Sequence, residues 1–256
     1  MRNILAIASR DLRSVFVSPI AYVILTGCQL LAGWFFFTML GQFNRMVAQY
    51  AMLQGMDTTW LNLNDAVVAP LLGNLSIVLL IVIPMVTMRS FAEEKSNATY
   101  ELLFTSPVSV TEIVIGKYLA SAALVTVMIG LTAIFPAVLF IYGNPEFALV
   151  AGGYLGLYLM ALCFTAVGNF TSALTSNQII ATTSSLVILL LLYVISWPAE
   201  GASESVATVL RYLSITDHFG NMVQGVIETK DLVYFASVLL TFLFLTHRAV
   251  ESQRWK

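Results

Sequence analysis

Residues 89–117 read RSFAEEKSNATYELLFTSPVSVTEIVIGK, and this stretch is the charged island of an otherwise apolar chain. It carries Arg89, Glu93, Glu94, Lys95, Glu101, Glu112 and Lys117, whereas charged residues make up only 10% of the 256-residue protein. On either side lie apolar segments long enough to cross a bilayer, which takes about 20 residues of helix. Ser109 and Glu112 have the spacing of a capping box, in which each side chain satisfies a free backbone N–H of the other. Ser90 and Glu93 repeat that spacing, and Ser106-Pro107 between them marks a turn. The island therefore reads as helix, turn, helix. Leu102, Leu103 and Phe104 beside its carboxylates form an apolar knob. Such a knob can fill the cleft of a partner protein or pack on the ends of its own spans.

Working outward, 59% of the residues are hydrophobic and the mean hydropathy is +0.86. A soluble domain carries roughly 25% charged and about 45–50% apolar residues, so the expected class is an all-α polytopic membrane protein, with lipid as its surroundings. Six spans are predicted, over about 20–40, 70–88, 118–142, 147–167, 179–197 and 232–246. The whole chain, 1–256, is one membrane domain. A net charge of −2 and the absence of a long basic run argue against a nucleic-acid partner. Cys28 and Cys163 both fall inside apolar segments and read as small core residues rather than a disulfide or a metal site.

Residues 1–19 predict an amphipathic helix followed by a break at Ser18-Pro19, because the residue before proline is pushed out of the α region. Ile4, Leu5, Ala8, Leu12, Val15 and Phe16 share one side, and Arg2, Ser9, Arg10 and Arg13 another, with Ile7 and Asp11 as exceptions. A helix with one basic and one apolar face lies in the membrane interface. Trp34 and Phe35–Phe37 suit an aromatic belt near the outer end of the first span. A polar connection is expected over 41–69 and a short one over 168–178, and Gly143-Asn144-Pro145 is a turn. Gly152 and Gly156 have the small-xxx-small spacing that lets helices approach closely. The outer segment 198–231 contains two short amphipathic stretches, which can dip into the outer face or pack as a surface loop.

Lys and Arg set the orientation. With six spans, Arg2, Arg10, Arg13, Arg89, Lys95, Lys117, Arg248, Arg254 and Lys256 share one side, against Arg45, Arg211 and Lys230 on the other. Both termini and the island are therefore expected in the cytosol.

The segment from Phe91 to Ala120 resembles the region between the second and third spans of type 2 ATP-binding cassette transporter permeases. The matching elements are Glu93-Glu94-Lys95, Thr99-x-Glu101-x-Leu103, Pro107-Val108-Ser109 and Ile113-Val114-Ile115-Gly116-Lys117. Arg10-Asp11-Leu12 before Ser18-Pro19-Ile20-Ala21-Tyr22, and Asp217-His218-Phe219 through Gly225-Val226-Ile227, Asp231 and Tyr234-Phe235, look like the gliding-motility-type branch. Ala98 departs from the glycine frequent in relatives. The resemblance implies a permease subunit of a bacterial inner-membrane exporter. Its implied partners are two copies of a cytosolic ATPase and a second permease, identical or paralogous. An accessory periplasmic protein stays open as a further partner. It also implies that Glu93, Glu94, Thr99, Glu101, Leu102, Leu103 and Pro107 couple the permease to the ATPase.

The chain lacks a G-x-x-x-x-G-K-[ST] loop to cradle phosphates, so no cofactor is expected on it directly and ATP is reached through the partner subunit. No span has a charged residue near its centre, which disfavours an ion-coupled transporter. His218 and His247, the two histidines, fall on opposite sides of the membrane and cannot share a metal or a catalytic dyad, which disfavours an intramembrane enzyme. His218 reads as a capping or interfacial residue. Gln29 and Asn74 are expected to bond between helices. A membrane anchor for an ATPase that does mechanical work without moving a solute remains an alternative to transport.

Overall fold

The computed structural model describes residues 2–52, 62–97 and 108–253. All regular structure among them is helical. In chain order the helices are α1 (Arg2–Val17), α2 (Pro19–Met52), α3 (Ala69–Thr87), α4 (Arg89–Ser96), α5 (Val110–Thr132) and α6 (Ile134–Tyr142), followed by α7 (Phe147–Leu174), α8 (Gln178–Val194), α9 (Glu204–Leu213), α10 (Ile215–Val223) and α11 (Thr229–Gln253). Six helical segments are long and apolar enough to cross a membrane. One is α2, one runs Asn64–Ser96 through α3 and α4, one joins α5 and α6, and the others are α7, α8 with the turn after it, and α11. Helices solve the problem that lipid poses for a backbone, since each N–H and C=O finds its partner within its own segment.

The core is centred on α7, whose inward face includes Leu157, Met160, Ala161, Cys163, Phe164 and Val167, packed against α3 on one side and α11 on another. Small residues allow this close fit. A Cβ on Gly168 would lie 2.0 Å from Thr87 Oγ1, so α3 and α7 touch backbone to side chain there. Gly152 and Gly156 also work as contact points, although their partner is not a spanning helix. It is the short α10, with Met222 Cβ 2.9 Å from the position a Cβ on Gly156 would take. Thus α10 packs Phe219 and Met222 against α7 and also buries Ile215 and His218, while α9 keeps no buried residue.

Several boundaries differ from expectation. The first helix does not stop near Leu40 but continues to Met52, and the second segment starts at a π-helical turn, Asn64–Val68, which replaces the last part of the expected connection over 41–69. A helix has no reason to end where hydrocarbon ends if no breaker is present, and Gly41 alone does not supply one. For the same reason α7 runs to Leu174, so the connection over 168–178 shrinks to three residues, Thr175–Asn177. The Asn177 side chain caps α8, accepting from Ile179 N at 2.9 Å and Ile180 N at 3.4 Å. The last span is longer than 232–246, because α11 begins at Thr229 and ends at Gln253.

Two breaks within spans are repaired by side chains. Pro136 removes the N–H that would bond Thr132 O four residues back, and the Tyr154 hydroxyl donates to that carbonyl at 3.1 Å instead. At Met88, between α3 and α4, the Ser172 hydroxyl enters the ladder. It donates to Met88 O at 2.8 Å and accepts from Phe91 N at 3.0 Å and Ala92 N at 3.1 Å. Insertion of a polar side chain into the i→i−4 ladder is a recognised cause of a helix bend. The Ser90–Glu93 capping box is accordingly not formed. Met88 keeps α-helical dihedrals and the chain never leaves the helix there, so no free N–H groups await a cap. The Ser109–Glu112 box does form, at a true helix start.

Candidate functional site

Polar residues of the described parts of the island and of α1 meet at the end of the bundle where α1, α4, the start of α5 and the ends of α7 and α11 converge. Ile7, Phe91, Val110, Ile113, Val114, Ala173 and Val250 form one apolar cluster there. We call this the terminal end.

Helix α1 lies against α5 along one stripe. Asn3, Ile7 and Asp11 recur every four residues, which is one ridge of a helix surface. Asn3 Nδ2 donates to Glu112 Oε1 at 3.2 Å. Ile7 fills the space above Gly116, where a Cβ would sit 2.9 Å from Ile7 Cβ. Asp11 accepts from Lys117 Nζ at 3.1 Å. Ile7 and Asp11, the two exceptions to the expected two-sided pattern, are therefore the residues that dock the helix. At 100° per residue the stripe falls between the basic side, with Arg2, Arg10 and Arg13, and the apolar side, where Leu5 remains 66% exposed. The helix has three faces: one packed on α5, one basic and exposed, one apolar and part-exposed.

Lys117 is the hub. Its side chain is only 2% exposed, and an ammonium taken out of water needs every donor filled. It has three. They go to Asp11 Oδ2 at 3.1 Å, Glu94 Oε1 at 2.9 Å and Ser90 O at 2.6 Å, and the Phe91 ring lies 5.2 Å away for a cation–π contact. Arg10 closes the square, donating through Nε to Asp11 at 2.8 Å and through Nη2 to Glu94 at 2.9 Å. Burial pulls the Arg10 guanidinium down, but the hydrogen bonds and charges of Asp11 and Glu94 outweigh that and raise its pKa. Two cations and two carboxylates thus join α1, α4 and α5. On the far side of α4, Lys95 Nζ and Gln253 Nε2 (the latter at 3.1 Å) both donate to Ala173 O, one of the carbonyls left over at the end of α7.

Of the residues expected to couple to a partner, Glu94 lies inside this square and Glu93 lines the cavity beside it. Thr99, Glu101, Leu102, Leu103 and Pro107 lie outside the described residues. Arg2, Arg10 and Arg13 are exposed on α1. The cavity, of about 520 Å³, opens between α1, α2, α3–α4 and α5.

A second buried polar group stands near the opposite end. His218 Nδ1 is 2.6 Å from Asp231 Oδ1, its Nε2 is 3.0 Å from Tyr212 O, and its ring stacks on Tyr234 at 4.1 Å. His218 is therefore a buried residue joining α9, α10 and α11, and its bond to Tyr212 O caps the end of α9, as a capping residue does. Its partner Asp231 is thirteen positions away on another helix, so no helical spacing announces the pair. Gln29 donates to Met128 O at 3.2 Å, as expected of an interhelical bond. Cys28 and Cys163 are buried and free. No cluster of metal-ligating side chains occurs among the described residues.

A bundle of six spanning helices, bound at one end by an amphipathic helix, defines a multi-pass membrane subunit. The chain belongs to the ABC-2 transporter family: the family model described as "ABC-2 family transporter protein" matches residues 38–247. It is thus of the membrane-permease type within an ABC transporter, and helix α1 precedes the matched residues. A search of the curated proteins gives no match.

Proposed function

We propose that this chain couples ATP hydrolysis on a separate cytosolic ATPase to substrate movement across a bacterial inner membrane, outward as the resemblance implies. It does so with a second permease, identical or paralogous, and two ATPase copies. Both termini lie in the cytosol, in accord with the nine Lys and Arg on that side against three on the other.

The observation that carries this reading is the continuity of the segment Asn64–Ser96. It is one helical segment that ends at Ser96, and the docking residues Thr99, Glu101, Leu102, Leu103 and Pro107 follow it in the sequence. The root of that docking segment is fixed on three sides: to α7 by Ser172, and to α1 and α5 by Glu94 through Arg10 and Lys117. A push from the ATPase is then delivered to several spans at once. The shift it produces is set by the difference in ATPase affinity between the two permease states.

Leu103→Asp should leave the protein inserted and folded but abolish co-purification with the ATPase. Intact co-purification would refute the docking assignment. Cysteine at position 99 should resist an impermeant reagent applied outside intact cells, and labelling there would invert the topology.

A further inference from the structure

We infer that the cavity beneath α1 is a binding site for a zwitterionic aminophospholipid, with its phosphate on Arg89 and its ammonium on Glu93. Three observations converge on it.

The first is charge. The cavity wall carries three cations and three carboxylates. Arg10, Lys117, Asp11 and Glu94 pair with each other in the square described above. Arg89 and Glu93 remain, one turn apart on α4, at the i, i+4 spacing that normally brings opposite charges together. Among the described residues neither forms an ion pair. Arg89 Nε is moreover buried with no hydrogen-bond partner among the described residues. A buried donor without an acceptor is costly, and a cation and an anion left side by side in one cavity match a ligand bearing both signs.

The second is polarity along the wall. Arg89 and Glu93 lie beyond the end of α3. One turn inward along α3 the wall becomes Met85, and on the facing helices it becomes Ile20, Ile24 and Leu124. A ligand placed here has its charged end by α1 and an apolar end directed toward the spans, the orientation of a lipid in the leaflet. Basic pockets between spanning helices near the interface hold anionic headgroups, and a pocket with both signs of charge suits a zwitterionic one.

The third is size. About 520 Å³ lies within the range of small-ligand sites. It holds a headgroup and the start of a chain, and the exposed Val17 and Ile20 at its edge leave the rest of the chain to the bilayer.

The chemistry sets a selectivity. Phosphatidylethanolamine offers N–H donors to Glu93, phosphatidylcholine offers the charge without donors, and phosphatidylglycerol offers no cation. The test uses the full chain in phosphatidylcholine nanodiscs doped with phosphatidylethanolamine or phosphatidylglycerol, with bound lipid read by native mass spectrometry. No ATPase is present, so the outcome is separate from the docking proposal. Phosphatidylethanolamine should be enriched over both other lipids. Arg89→Gln should reduce its retention about tenfold, the effect of one charged hydrogen bond, and Glu93→Gln should abolish the preference over phosphatidylglycerol. Equal retention of all three lipids by the unaltered protein would overturn the inference, whether or not the variants fold. So would displacement by soluble glycerophosphoethanolamine at the concentration at which the lipid binds, since the apolar wall would then contribute nothing.

Discussion

Gly116 on α5 faces Ile7 on α1 so closely that a Cβ would stand 2.9 Å from Ile7 Cβ and 3.1 Å from the Ile4 carbonyl oxygen. Neither neighbour is the free end of a flexible chain, so α1 must move if the glycine is replaced. Overpacking of this kind costs about 1–3 kcal/mol. Gly116→Val should therefore loosen α1 while the spans stay in place. Trypsin cleavage after the exposed Arg13 is a direct readout, expected to run about tenfold faster in a variant whose helix opens more often. An unchanged cleavage rate would mean that α1 is held by lipid rather than by α5.

The Lys117 square makes a different kind of forecast, because its members are coupled. Lys117→Met removes the one cation that touches both Asp11 and Glu94 from inside and leaves two carboxylates with Arg10 alone. Removing one partner of a buried pair costs about 3–5 kcal/mol, more than the pair contributed. Asp11 and Glu94 are about one-fifth exposed, so the expected loss is near the lower end. Adding Asp11→Asn to Lys117→Met should restore part of it. Thermal unfolding of the four proteins in detergent gives the cycle, and strictly additive losses would show that the square does not act as a unit.

Ser172 enters the backbone ladder at the junction of α3 and α4 with three hydrogen bonds. Ser172→Ala leaves Phe91 N and Ala92 N to find the carbonyls of their own helix, which straightens the chain there. Spin labels at the exposed Ser96 and Leu174 should then report a longer separation and a narrower distribution. If the distance does not change, the hydroxyl does not set the course of the chain at this junction.

Much of this architecture is legible in the chain because a bilayer imposes a simple rule. Runs such as 70–88 and 179–197 carry no charged residue and are mostly apolar, and nothing but a buried or spanning helix accommodates them. Boundaries were less legible, since Gln42, Asn44 and Arg45 are polar yet equally content in a helix that has left the hydrocarbon. The site was legible only in part. Gly116 and Lys117 stand out by their motif, but Ile7 and Asp11 look like flaws in an amphipathic pattern. They are flaws only if the helix has two faces; a third face for protein accounts for both. Departures from a local rule are where tertiary partners are to be sought. The Ser90–Glu93 spacing shows the converse. A capping box needs a chain that is entering a helix, and the sequence of the box does not say whether it is.

The Tyr154 hydroxyl and the Pro136 ring form a compensated pair across α7 and α6, and the compensation can be measured. Pro136 denies Thr132 O its intrahelical partner and Tyr154 supplies one at 3.1 Å. In lipid an orphaned carbonyl has no water to turn to. Interhelical hydrogen bonds in membranes average about 0.6 kcal/mol and reach about 1.7, and this bond should fall in the upper part of that range because its acceptor has no other donor. Tyr154→Phe is expected to lower thermal stability by that amount in the unaltered chain. In a Pro136→Ala background the residue at 136 regains its N–H and can bond Thr132 O itself, so the same substitution should cost almost nothing. An equal cost in both backgrounds would show that Tyr154 acts through its ring packing, and that the break between α5 and α6 is satisfied in some other way.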